Sequence, residues 1–261
     1  MAITNRWYGW RKDRLDKRDR MLKVGRPIPL PPSVDLRLEM PVVYDQGPLG
    51  SCTAQAIAAA LDHLEVKQGI SRMDSPSRLF IYYEERVIEE TISEDSGAEI
   101  RDGIKVVSKL GVPDEILWPY NIPKFTMRPP QEAYDQAVSR LAIQYQKIES
   151  SEVTSPETFM NAVRTVLAQG HTIIFGFSVW SSFESSDIAK SGIMPMPDIE
   201  TEDMMGGHAV LMVGYDDATK RVLVRNSWSA DWGQAGYFEM PYEFLVDPKQ
   251  AADLWTIGIT S

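Results

Sequence analysis

The spacing of apolar residues changes character near residue 170, and this constrains the fold more than any other feature of the sequence. Before that point apolar side chains recur every three or four residues, the helical period. Ala56, Ile57, Ala60, Leu61 and Leu64 predict a helix from Ser51 to Lys67, stopped by Gly69. Ser75-Pro76 reads as the start of a second helix, running through Leu79, Tyr82, Tyr83 and Val87. A third is expected from about Ala98 to Gly111, and a fourth from Ser155-Pro156-Glu157 to Gly170. Beyond it come short runs rich in β-branched and aromatic residues: 172–180, 208–215, 221–225, 236–240 and 254–260. Residues 215–220 look like a hairpin connection. Helices first and strands after predict an α+β architecture.

The chain's 261 residues, 43% of them hydrophobic, can build a sizeable core as one large domain or two ordinary ones. The net charge of −10 argues against a general nucleic-acid binder or an anionic-membrane surface protein. No apolar run is long enough for a transmembrane helix. The first twenty residues lack the apolar core of a Sec signal peptide. The expected setting is therefore the cytoplasm, or export by a route without such a signal. A single cysteine excludes an intramolecular disulfide framework and every multi-cysteine metal site.

Charge is unevenly distributed. Residues 1–26 carry nine basic and three acidic side chains, net +6, and the remainder carries net −16. The proline-rich stretch RPIPLPPSVD at 26–35 reads as an extended connector. Trp7, Tyr8 and Trp10 are apolar surface that a free tail would leave wet, so the basic head is expected to dock on the body.

Cys52 follows the turn-rich Gln46-Gly47-Pro48-Leu49-Gly50-Ser51 and opens the first helix. A helix N-terminus favours a thiolate through its unpaired N–H groups and the macrodipole. A thiol that attacks an amide also needs a base, a group orienting that base, and an oxyanion hole. Imidazole can come from His63, His171 or His208. His63 lies eleven residues along the Cys52 helix, about 16 Å away, and cannot reach. His171, at a helix-to-strand junction, reads as structural. His208 follows Gly206-Gly207 and begins an apolar strand, and Asn226 lies eighteen residues on at another strand end. An asparagine there could fix the imidazole tautomer.

At these residues the chain resembles the papain-like cysteine peptidases. DQGPLGSCTA (45–54) is similar to the family's nucleophile block, GGHAVLMVGYD (206–216) to its histidine block and RNSWSADWGQAGYFEM (225–240) to its asparagine block. Shorter echoes, VDLR, DSGAEIRDGIKVVSKLGV, WPY and SGI, occur in the family's order, so the likeness spans about 33–261. It implies a helical lobe carrying Cys52 and a β-barrel-like lobe carrying His208 and Asn226, with the site in the cleft between them. It also implies Cys52 as nucleophile, His208 as general base and acid, Asn226 as orienter, and Gln46 with the Cys52 N–H as oxyanion hole. Gly97, Ala98, Gly207 and Trp228 fall at substrate-side positions, Gly97-Ala98 in a loop that pairs with an extended peptide and Trp228 over the Asn226–His208 bond.

The resemblance implies peptide-bond hydrolysis through an acyl-thioester, with a peptide or protein substrate, a monomeric enzyme and neither metal nor organic cofactor. Acyl transfer or small-molecule amide hydrolysis on the same machinery, and peptide binding without catalysis, are the alternatives. Leu49 and Asp95 stand where many relatives have a disulfide, Thr53 replaces a tryptophan, and Ala98 replaces a glycine. The missing disulfide and the motif style suggest a prokaryotic branch. Residues 1–32 are then expected to form a strap, a short inhibitory propeptide ahead of a catalytic domain at 33–261.

Overall fold

The computed structural model describes residues 8–23, 29–70 and 74–260. In chain order the elements are β1 (Trp10–Arg11), β2 (Ser33–Asp35), α1 (Cys52–Lys67), α2 (Arg78–Ile88), β3 (Ala98–Glu99), α3 (Ile100–Lys109), α4 (Gln131–Ala137) and β4 (Ala142–Lys147). They continue with α5 (Pro156–Ala168), β5 (Ile173–Trp180), α6 (Ser186–Ser191), β6 (Met204–Asp216), β7 (Arg221–Arg225), β8 (Tyr237–Pro241), α7 (Tyr242–Val246) and β9 (Ala251–Thr260).

Six strands form one antiparallel path, β4-β9-β5-β6-β7-β8, and β2 joins on β6. The sheet stays open: its two end strands, β4 and β8, do not pair, so the barrel-like lobe expected from the resemblance is an open antiparallel sheet. Two apolar clusters account for the α+β layering. One gathers α1, α2 and α3 against Ala209, Leu211 and Trp255. The other packs α5 and α7 against Phe175, Phe177, Val210 and Met212. Alternate residues of β6 thus serve opposite faces, as the two-residue period of a strand requires.

The expected helices form, with shifted starts. Pro156 opens α5 at its first turn, and the Ser155 hydroxyl accepts from the Thr158 N–H, a satisfied N-cap. Pro76 does not open α2. It lies in a bridge with Asp114, and Ser77 caps the helix by accepting from Phe80. The third helix starts at Ile100 because Ala98 and Glu99 extend to pair with β1. Sequence periodicity gave no sign of β1, β2, β4 or α4: each is short and draws its order from a partner. Pro32 precedes β2 and its carbonyl accepts from the Asp217 N–H, so the expected connector ends as an edge strand. Residues 26–28, the first part of that connector, lie outside the described residues, as does Trp7.

Candidate active site

The nucleophile loop and the asparagine loop are tied together across the two clusters. Asp45 bridges to Trp228, and the Gln46 N–H donates to the Ser227 carbonyl at 2.9 Å. The Ser227 hydroxyl donates to Gln46 Oε1 at 2.6 Å, and Gln46 Nε2 donates to the Leu49 carbonyl at 2.9 Å. These bonds fix a buried amide beside the start of α1 and use one of the two Nε2 hydrogens. Gly47 takes φ +58, a left-handed turn that lets the loop double back before Ser51.

Cys52 is the first residue of α1 and is completely buried. Burial pushes its thiol up to about 11. The backbone N–H groups of Ala209, Gly9 and Thr53 pull the other way without overcoming it. Ala209 follows His208 on β6, so the sulfur and the imidazole share one corner of the cleft.

His208 is buried, and its Nε2 meets Asn226 Oδ1 at 2.8 Å. The same oxygen accepts from the Ser227 N–H at 2.8 Å. A carbonyl oxygen can only accept, so Nε2 carries the hydrogen and Nδ1 is the ring's acceptor nitrogen. Trp228 stacks on the imidazole at 4.9 Å between centroids and 25° between planes. Phe177 meets the ring edge-on at 5.8 Å from beneath. The strand bearing His208 begins four residues earlier than the sequence suggests, at Met204, because Gly206 and Gly207 pair with Val179 and Ser178.

The position of the missing disulfide is held by hydrogen bonds. Asp95 accepts from the Gly50 N–H at 3.1 Å and from the Tyr82 hydroxyl. That hydroxyl in turn accepts from the Gly97 N–H at 3.2 Å. Thr53, in place of a tryptophan, donates to Glu85 Oε2 at 2.8 Å. Glu85 is fully buried behind α1, and burial pushes its carboxyl well above its ordinary value. Its mid-helix position in α2 carried no sequence signal of that placement. His63 is buried near Glu39, and burial lowers both it and His171; neither is part of the cleft cluster.

The four positions expected on the substrate side, Gly97, Ala98, Gly207 and Trp228, converge on the N-terminal strap. The Ala98 N–H donates to the Gly9 carbonyl at 2.7 Å, and β1 runs parallel to β3 with Trp10 opposite Ala98. Gly9 lies against Gly50 and Gly97, where a Cβ on either Gly9 or Gly97 would collide with backbone. The Trp10 ring lies over Gly176 and Gly207. Tyr8 stands over Gly206, its ring 6.1 Å from His208 and 6.3 Å from Trp228. Its hydroxyl donates to Glu184. Tyr8-Gly9-Trp10 therefore straddles Cys52.

A cysteine at a helix N-terminus, an asparagine-held imidazole and a buried amide between two packed layers define a thiol hydrolase. Residues 30–245 match the model of the papain family of cysteine proteases, and the chain belongs to that family. It is 46% identical over 213 residues to a peptidase C1-like protein of Acanthamoeba polyphaga mimivirus, covering 82% of this chain and 68% of that one. The structure superposes on xylellain, a cysteine protease from Xylella fastidiosa, with TM-score 0.88 and 37% identity, covering 98% and 97% of the two chains. The procathepsin B fold of Trypanosoma congolense matches with TM-score 0.75 at 17% identity, covering 100% and 89%. The protein is a cysteine-type peptidase, and its family implies peptide or protein substrates. Among the described residues no helix is long and apolar enough to cross a membrane.

Proposed function

We propose that this protease cleaves peptide bonds through Cys52, His208, Asn226 and Gln46, and that its own strap holds it inactive. The Cys52 proton passes to His208 Nδ1, and the sulfur attacks the substrate carbonyl carbon. The oxyanion is met by the Cys52 N–H and the remaining Gln46 Nε2 hydrogen. The C–N bond breaks as His208 returns its proton to the departing amine, leaving an acyl-thioester. Water then attacks that carbon, giving a proton to His208, and the C–S bond breaks to release the acid and restore the thiol. Asn226 holds the donor tautomer throughout, and Trp228 shields that bond from water.

The observation that carries the reading is the 2.8 Å Asn226–His208 bond beside a cysteine at the start of α1. The seating of the strap supports an extended peptide over a small-molecule amide: its main chain pairs with Ala98 and its side chains occupy both sides of Cys52. The strap also excludes water, and the resulting burial keeps the thiol protonated at neutral pH.

The test uses the full chain carrying Gly9→Val, whose Cβ would run into the Gly50 carbonyl and unseat the strap. Hydrolysis of a fluorogenic peptide should rise at least about tenfold, given that a tethered inhibitor acts at roughly millimolar effective concentration. Adding Cys52→Ala should abolish turnover, and adding Gln46→Ala should lower kcat by ~10²–10³. Unchanged activity in Gly9→Val would remove the inhibitory role, and turnover surviving Cys52→Ala would remove the nucleophile.

A further inference from the structure

Glu184 ends the short helical turn 181–184 that follows β5, and the buried ring of Phe183 packs against Trp228 at 5.5 Å. That contact sets the Glu184 carboxylate at the outer end of the His208–Trp228 wall. It is half-buried and, among the described residues, makes no ion pair; it accepts from the phenol of Tyr8. The surrounding stretch 181–203 holds Glu184, Asp187, Asp198, Glu200, Glu202 and Asp203 against the single base Lys190. That stretch is therefore net negative.

This end is also the leaving-group side. The departing amine takes its proton from His208, so the substrate residue after the scissile bond must lie along His208 and Trp228. The acyl side lies towards Ala98, Gly176 and Gly207, where Trp10 sits. Tyr8 thus occupies the place of that following residue and reports what the site accepts: a ring against Trp228 and a donor on Glu184.

We propose that Glu184 is a specificity-determining residue that selects, directly after the scissile bond, a side chain ending in a hydrogen-bond donor: lysine, arginine or tyrosine. The proposal rests on the peptidase reading above. When the strap leaves, Tyr8 no longer reaches the carboxylate. An ammonium, guanidinium or phenol then restores a charge-assisted bond, whereas phenylalanine leaves the oxygen to water and glutamate meets a like charge.

The experiment measures kcat/KM in full-chain Gly9→Val on internally quenched peptides that differ only at the residue after the cleaved bond. Lysine, arginine and tyrosine should exceed phenylalanine by about tenfold, and glutamate should be slowest. Adding Glu184→Gln keeps an acceptor but removes the charge, so the lysine and arginine advantage should shrink while tyrosine's persists. Adding Glu184→Ala should level all three with phenylalanine.

A second readout needs no turnover. In the otherwise native chain, Tyr8→Phe and Glu184→Ala should each speed Cys52 alkylation, and the double variant should be no faster than either. Cleavage with no preference, or a preference that survives Glu184→Ala, overturns the proposal, as does additive behaviour in the alkylation cycle. If no peptide is cleaved, the peptidase reading falls and takes this proposal with it, even where the alkylation cycle still couples Tyr8 to Glu184.

Discussion

Residues 8–11 and residues 12–22 belong to one strap but meet the body by opposite means. The first stretch crosses the cleft on a two-residue pairing with β3, two partly exposed rings, and the Tyr8–Glu184 and Arg11–Glu89 contacts at its ends; the strand pairing and the rings are contacts that a substrate could duplicate. The second is fastened by Asp13, whose side chain has no exposed surface. Its Oδ2 accepts from Trp255 Nε1 at 2.9 Å and Lys147 Nζ at 3.0 Å, and its Oδ1 accepts from the Arg101 N–H at 3.0 Å. Asp19 takes Arg101 in a two-pronged pair at 2.8 and 2.6 Å, and the backbones of Arg20 and Leu22 bond to Lys147. Burial pulls the Lys147 ammonium down, yet Asp13 and Asp253 outweigh it and hold it above its ordinary value.

The difference shows where net charge misleads. The head's basic excess is not what fastens it: Arg14 reaches Glu99 with a side chain 90% exposed, and such pairs contribute little. The head's few acids do the fastening because they are buried with their donors.

Four substitutions sharpen or break this contrast. Asp13→Ala should be the most damaging, since it removes the acceptor of the Trp255 indole N–H and the Arg101 backbone N–H and leaves Lys147 held mainly by Asp253. Breaking a buried pair costs about 3–5 kcal/mol, and the urea midpoint should fall accordingly. A small loss would make the second stretch as replaceable as the first.

Gly9→Val should leave that midpoint nearly unchanged but raise Cys52 alkylation at pH 7 by at least about 100-fold. A thiol at about 11 holds roughly 300-fold less thiolate at neutral pH than an ordinary one. In pH profiles the native chain should label appreciably only as the pH climbs toward 11, whereas the variant's curve should move to lower pH. Coincident curves would show that the strap is not what buries the thiol.

Trp10→Ala should act in the same direction and less strongly, by about tenfold, because the ring is only partly buried and its loss removes a portion of the ~1.5–3 kcal/mol of a full apolar side chain. Arg14→Ala should be the mildest, with no measurable change in Tm or labelling; a clear drop would mean that surface charge anchors the strap after all.

The same contrast explains how much of the site was legible. Cys52, His208, Asn226 and Gln46 stand in three contiguous blocks that resemble the family's, and the structure brings the three blocks' side chains or backbones to one corner. Gly97, Ala98, Gly207 and Trp228 were placed on the substrate side, and all four lie beside the strap or the imidazole. Glu184, Glu85 and Asp13 were not singled out. Each is an acid in an ordinary polar context, and what sets it apart is a partner more than thirty residues away.

By itself the sequence determined the layer order, because hydrophobic period is a local property: α1, α3 and α5 bury the faces their spacing marks out, and β5 through β7 arise from runs that are apolar wherever they pair. It also supplied the candidate reacting groups, since thiol, imidazole and amide chemistry belongs to the residues. The tertiary structure decided which imidazole nitrogen Asn226 holds, how far the thiol is withdrawn from water, and which part of the strap is fastened. Those depend on distances and burial between segments remote in the chain, and a Coulomb or desolvation energy has no value until the fold sets them.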